Sequence, residues 1–339
     1  MSQPEKWTNR ALLTWTKAFF EKRGIETPKL DAEVLLGYAT GRTRLDLFVS
    51  YDEEPTEEQR GVFRELVRRR ALGEPVAYLV GKKEFYSLDF AVDARALIPR
   101  PETEQLVLET IEYFKKRGWR TGSAAVKKRS VEIEERVAEF SAAENEAAES
   151  PAVERSDSEP RDPGELWICD VGVGSGCVSA ALAKNIPSCR VLGLDVSPEA
   201  LEVARENVER LGLSARVELR ESDLFSAVPD ALPEEERFDA IVSNPPYVSE
   251  SEYVVLETTV RDFEPRLALV GGASGAELAI ELVRQAVDRI KIGGRLALEL
   301  SPTTVETVAR ELTQDGRWTD VAIHKDFAGL LRFVSALRA

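Results

Sequence analysis

Leu166-Trp167-Ile168-Cys169-Asp170-Val171-Gly172-Val173-Gly174-Ser175-Gly176 is an apolar run that breaks into three alternating glycines. Residues 166–171 read as a buried strand of a parallel sheet, because such strands are covered on both faces and lose the polar alternation of a half-exposed one. The glycines that follow let the backbone turn sharply and approach a ligand closely before a helix begins. From here to residue 339 apolar strands alternate with amphipathic helices. The pattern predicts strands over 166–171, 190–195, 216–219, 238–243 and 294–300, with two more over 320–324 and 330–336. That rhythm specifies an α/β fold with a doubly wound, mostly parallel, seven-stranded sheet and right-handed crossovers.

In such a sheet ligands gather at the carboxyl ends of the strands. The loop Gly172, Val173, Gly174, Ser175 and Gly176 lies at the first of these ends. A glycine loop alone fits a dinucleotide site equally well. Asp195 ends the next strand, where its carboxylate can accept both hydroxyls of a ribose, and Ser197-Pro198 supplies the cap and first turn of the following helix. Past the third strand, Asp223 is placed to accept from an adenine amino group and Leu224 to cover the ring. Together these elements fit an adenosine.

Asn244-Pro245-Pro246-Tyr247 follows the run Phe238-Asp239-Ala240-Ile241-Val242-Ser243 at another strand end. Successive prolines fix φ and remove two backbone donors, and a residue before proline is pushed towards an extended conformation. The Asn244 side-chain carbonyl and the Pro245 carbonyl can then receive the two hydrogens of one planar –NH₂ group, with Tyr247 packing against its face. This is a clamp for an amide or for an exocyclic amine, and a surface turn is its plain structural alternative. An NAD enzyme has no evident use for the clamp, which favours S-adenosylmethionine as the adenosine-bearing ligand.

Composition narrows the remaining classes. With His324 as the only histidine, imidazole-based triads and zinc-hydroxide chemistry are nearly excluded, and no metal site is expected. Cys169, Cys177 and Cys189 match no zinc spacing, and an odd number of thiols beside apolar segments argues against a disulfide framework. A net charge of −15 opposes phosphate-neutralising binding to duplex nucleic acid. The N-terminus, MSQPEKWTNR, has no apolar signal segment and no stretch is long and apolar enough for a bilayer, so a cytoplasmic protein without membrane attachment is expected.

Residues 1–80 read as a small helical bundle. Its first helix places Trp7, Ala11, Leu12, Trp15, Ala18 and Phe19 on one face, the second carries Leu30, Val34, Leu35 and Tyr38, and the third buries Val62, Phe63, Leu66 and Val67. Thr56 and Gln59 form a capping box at the start of the third, and Arg68-Arg69-Arg70 decorates its solvated last turn. Residues 81–117 read as a hairpin and linker helix, 118–164 as an acidic low-complexity insertion, and 165–339 as the catalytic domain. Between residues 130 and 160 ten acidic side chains face two arginines, a composition too poor in apolar groups to build a core and expected to give a flexible surface insertion.

The glycine loop, Asp195 and residues 244–247 resemble the class I S-adenosylmethionine-dependent methyltransferases that modify amide or aromatic-amine nitrogens. Gly73-Glu74-Pro75-Val76-Ala77-Tyr78-Leu79, Glu84-Phe85-Tyr86, the segment 97–104 and Phe263-Glu264-Pro265 further resemble the peptide chain release factor glutamine-N5 methyltransferases. The resemblance covers residues 7–115 and 166–339 and implies an N-terminal domain that docks the release factor. It implies a substrate glutamine in the Gly-Gly-Gln loop of bacterial class 1 release factors. Carried over by motif, Gly172 to Gly176, Asp195, Leu224 and Asn244 contact the methyl donor, while Asn244, Pro245, Pro246 and Tyr247 hold the glutamine. It also places Arg100 and Glu102 over the active site. Two departures stand out: Leu224, where some relatives carry an aromatic residue, and the insertion over 118–164. A ribosomal-protein glutamine methyltransferase and an adenine-N6 nucleic-acid methyltransferase share the clamp and remain alternatives.

Overall fold

A computed structural model describes residues 6–119, 121, 165–230 and 232–339. The expected acidic insertion thus falls almost wholly outside the described residues. The chain forms two compact units.

The first unit holds the described residues of Met1–Lys82 with Val92–Ala94 and Leu256–Glu264. Five of its helices span Asn9–Lys22, Pro28–Thr40, Arg44–Val49, Glu57–Ala71 and Val76–Val80. Their starts are set by side-chain caps: Thr8 accepts from the Ala11 amide, and Thr56 with Gln59 forms the reciprocal box read from the sequence. Leu12, Phe20, Leu35, Leu36, Leu47, Phe63 and Leu66 fill the core.

Three helix faces differ from the sequence reading. Leu30, Tyr38 and Val62 are exposed, and the second helix instead buries Ala32, Leu35 and Leu36. That helix packs against both the first and the fourth, so small Ala32 sits where helices approach closely and the bulkier Leu30 and Tyr38 turn outwards. On the first helix the fully buried line is Leu12, Thr16 and Phe20, with Trp15 and Phe19 stacked beside it and half-buried. Arg70 is not solvated: its guanidinium bonds Asp31 at 2.7 Å, with both side chains largely buried.

The second unit holds the described residues of Lys83–Ala91, Arg95–Val255 and Pro265–Ala339. In chain order the strands are β1 (Lys82–Phe85), β2 (Leu88–Ala91), β3 (Leu166–Val171), β4 (Cys189–Asp195), β5 (Val217–Glu221), β6 (Phe238–Ser243), β7 (Val248–Ser249), β8 (Val270–Gly272), β9 (Ile290–Glu299), β10 (Trp318–Lys325) and β11 (Leu331–Arg338). Seven of them form one sheet in the order β10-β11-β9-β6-β3-β4-β5. β3, β4, β5, β6 and β9 run parallel, and β11 is antiparallel to both β9 and β10. This is the mostly parallel doubly wound sheet the sequence specifies. Ile168 and Cys169, neighbours on opposite faces of β3, are both fully buried, so each face is covered.

Strand order reverses between β3 and β6, and that switch point is where a crevice opens at the strand ends. β9 starts at Ile290 rather than at 294. The added residues include Gly293 at φ 73°, and the strand carries a register shift opposite Phe238 and Ala240. β7 and β8, a short parallel pair outside the main sheet, were not anticipated.

Candidate active site

The glycine loop follows β3 directly and leads into the helix Cys177–Asn185. Gly172, Gly174 and Gly176 have φ of 75°, 53° and 81°, the left-handed region in which a side chain is strained. Gly176 has a second reason to lack a side chain, since a Cβ there would lie 3.3 Å from that of Ala204 on the helix Pro198–Arg210. The loop is held from three sides. Gly172 and Val173 amides donate to the Leu194 carbonyl at 2.8 and 2.9 Å, the Ser243 hydroxyl donates to the Val171 carbonyl at 2.6 Å, and the Asn207 amide donates to the Ser175 carbonyl at 3.0 Å.

Asp195, at the end of β4, accepts from the Gly174 amide at 2.8 Å and from the Ser197 amide at 2.9 Å through different carboxylate oxygens. Each oxygen retains a lone pair for a further donor. Burial raises the Asp195 pKa despite these backbone donors. One strand over, the Ser222 amide donates to the Asp195 carbonyl at 2.8 Å. Leu224 sits at φ 48°, unusual for a branched side chain and fixed in part by its carbonyl, which accepts from the Ser222 hydroxyl at 2.9 Å.

A cavity of about 610 Å³ opens at this edge of the sheet. Gly172, Gly174, Asp195, Asp223, Leu224, Asn244, Pro245 and Pro246 all line it. Val173, Ser175 and Gly176 are not among its lining residues. Tyr247 is also outside the lining: it packs against the sheet core, and burial pushes its hydroxyl pKa up to about 12. From the segment 97–104, Leu97 lines the cavity, whereas Arg100 and Glu102 act on Tyr247 and Glu299 through their charge. Of residues 263–266, Pro265 lines the cavity, and Phe263 and Glu264 belong to the helical unit.

Several residues that shape the site went unread in the sequence. Ala96 lines the cavity, and Leu267, Ala268 and Val270 give its lining an apolar surface. Behind the clamp, a Cβ at Gly271 would collide with the Pro246 carbonyl, and one at Gly275 with the Tyr247 carbonyl. The glycine-rich string Gly271-Gly272-Ala273-Ser274-Gly275 was the available signal for this close backbone packing. Asp170, fully buried, accepts from the Ser179 hydroxyl at 2.6 Å, and burial raises its pKa to about 6. Among the described residues no three His, Cys, Asp or Glu side chains are grouped to hold a metal, and no helix is long and apolar enough to cross a membrane.

The cavity suits an adenosine-bearing methyl donor. Its size is in the range of cofactor sites, it is mostly apolar with few placed polar groups, and beyond the neighbouring residues in the chain no described atom lies within 4 Å of where a Gly174 Cβ would stand. Fold and cavity define a methyltransferase: residues 159–273 match the family described as Methyltransferase small domain, which implies an S-adenosylmethionine-dependent enzyme. Residues 11–81 match the PrmC N-terminal domain family. The chain is 42% identical over 338 residues to the release factor glutamine methyltransferase of Rhodopirellula baltica, covering 100% of this chain and 99% of the relative. It is 36% identical to that of Chlorobaculum tepidum, covering 99% of each, and 34% identical to that of Geobacter sulfurreducens, covering 98% and 97%. The chain belongs to the release factor glutamine methyltransferase family.

Proposed function

We propose that this enzyme transfers a methyl group from S-adenosylmethionine to the side-chain amide nitrogen of the glutamine in the Gly-Gly-Gln loop of class 1 release factors. One observation carries the reading: Asn244, Pro245 and Pro246 share a single cavity wall with Gly172, Gly174 and Asp195. An amine clamp and an adenosine cradle therefore open onto one space. In this assignment Gly172 to Gly176 shape the donor's seat, Asp195 receives the ribose hydroxyls, and Asp223 and Leu224 meet the adenine. Asn244 and the Pro245 carbonyl accept from the glutamine –NH₂, Pro246 lines the approach, and Tyr247 supports the clamp from the core side.

The donor supplies an electrophilic methyl on a sulfonium. A glutamine nitrogen attacks it poorly because its lone pair is delocalised into the carbonyl. By holding both hydrogens the clamp fixes the nitrogen in line with the methyl and stabilises the positive charge that develops there. The nitrogen–carbon bond forms as the sulfur–carbon bond breaks, and the surplus proton leaves the nitrogen for water. Residues 1–80 act as the docking domain for the release factor, 81–117 as the linker and 165–339 as the catalytic domain. The enzyme works in the cytoplasm, where release factors act, and makes no stable complex with nucleic acid.

The test offers the full chain and labelled donor to a purified release factor, its loop Gln→Ala variant, ribosomal proteins and DNA, and locates the label by mass spectrometry. Label is expected on the loop glutamine alone. Label on a ribosomal protein or on adenine at a greater rate would displace this reading. Asn244→Ala is expected to abolish transfer with the fold retained.

A further inference from the structure

Behind Asn244 lies a chain of buried polar groups that the clamp itself does not use. The Asn244 Nδ2 donates to Thr103 Oγ1 at 3.1 Å, and the Thr103 hydroxyl in turn donates to the Glu299 carboxylate. Thr103 opens the helix Thr103–Lys116, Glu299 ends β9, and the two side chains are 2% and 1% exposed. Glu299 Oε2 has no hydrogen-bond partner among the described residues.

A hydroxyl carries one proton. Where Glu299 is ionised, Thr103 commits that proton to it, and its oxygen then accepts from Asn244, which presents Nδ2. Oδ1 is left for the cavity that Asn244 lines. We infer that Thr103 and Glu299 are positioning residues that lock the Asn244 amide in the one orientation able to accept from a substrate –NH₂. The flipped amide would set Oδ1 against the lone pairs of Thr103 and turn its own donors towards those of the substrate. This inference rests on the reading of Asn244 as the acceptor in the clamp.

Steady-state kinetics of the full chain on a purified release factor, with calorimetry of donor binding, test it. Thr103→Val keeps the shape and removes the hydroxyl; it is expected to lower kcat by about 10- to 100-fold through misorientation of one reacting contact. Donor affinity and the release-factor KM should stay within about twofold, since neither depends on the relay. Thr103→Ser restores the hydroxyl and is expected to recover most of the loss. Glu299→Gln, close to isosteric, lets its amide offer either a donor or an acceptor to Thr103, and a fall in kcat of at least about fivefold is expected from the lost bias. Parental kcat in Thr103→Val or in Glu299→Gln would overturn the relay, as would a loss that Thr103→Ser fails to recover or one confined to KM. Asn244→Ala separates the two readings. If it is inactive while Thr103→Val is unimpaired, the relay alone fails; if it is active, the clamp fails.

Discussion

Asp195 carries two tasks on one carboxylate. Its oxygens tie Gly174 and Ser197 together, and its remaining lone pairs face the cavity. Asp195→Ala is therefore expected to weaken donor binding by about 10-fold or more, the loss of at least one charge-assisted hydrogen bond. Calorimetry with unchanged affinity would remove Asp195 from the ribose role. Glu299 gives a stability signature independent of activity. Burial lifts its pKa from 4.5 to about 7, so between those pH values the folded chain holds a proton that the unfolded chain has released. Stability should fall as pH rises through that window, and Glu299→Gln should flatten the decline. Denaturant midpoints of parent and variant at both ends of the window would show it, and parallel curves would contradict it. The residue-scale part of the site was only half legible in the sequence. Asp195 and Asn244 announce themselves by standing at strand ends, whereas Thr103 lies 141 positions from Asn244 and becomes its partner only through the tertiary fold.

At the scale of elements, residues 244–247 are packed from behind by a short strand pair that the sequence did not reveal. β3 and β6 were read correctly because a strand buried on both faces is a continuous apolar run. β7 and β8 span two and three residues, too short for any periodicity to show. Yet their pairing, with the Val248 amide on the Leu269 carbonyl at 2.9 Å, brings Gly271 against Pro246. Gly271→Ala is expected to displace the clamp and lower kcat by about 10- to 100-fold while donor affinity holds; parental kcat would show that the brace is slack. Asn207 does comparable service on the donor side. Fully buried, it accepts from the Ala91 amide at 2.7 Å and donates to the carbonyls of Ala91 and Ser175 at 2.9 and 3.0 Å, so one side chain joins β2, its own helix and the glycine loop. Asn207→Leu would leave those buried backbone groups unpaired, at about 1–3 kcal/mol for each group left unsatisfied. A clear fall in unfolding temperature is the expected result, and an unchanged one would mean that the three bonds contribute little.

At the scale of the whole molecule, charge and chain length separate what catalyses from what does not. The net charge is −15, and residues 130–160 contribute ten acids against two arginines, a net of −8 or about half the total. Every described residue that lines the cavity falls outside 118–164, and relatives match this chain almost end to end. The acidic stretch lies outside the described residues. Deleting residues 125–160 removes none of the described residues that line the cavity and no apolar residue of the described cores. Turnover on a release factor is therefore expected to stay within about twofold of the parent, as for substitutions that touch neither the site nor its support. The informative arm is ionic strength. If the acidic stretch only repels nonspecific polyanions, the deletion should change release-factor KM equally little at low and high salt, because screening has nothing to remove. A KM that rises on deletion at low salt and converges with the parent at high salt would instead assign those carboxylates to steering a basic partner surface.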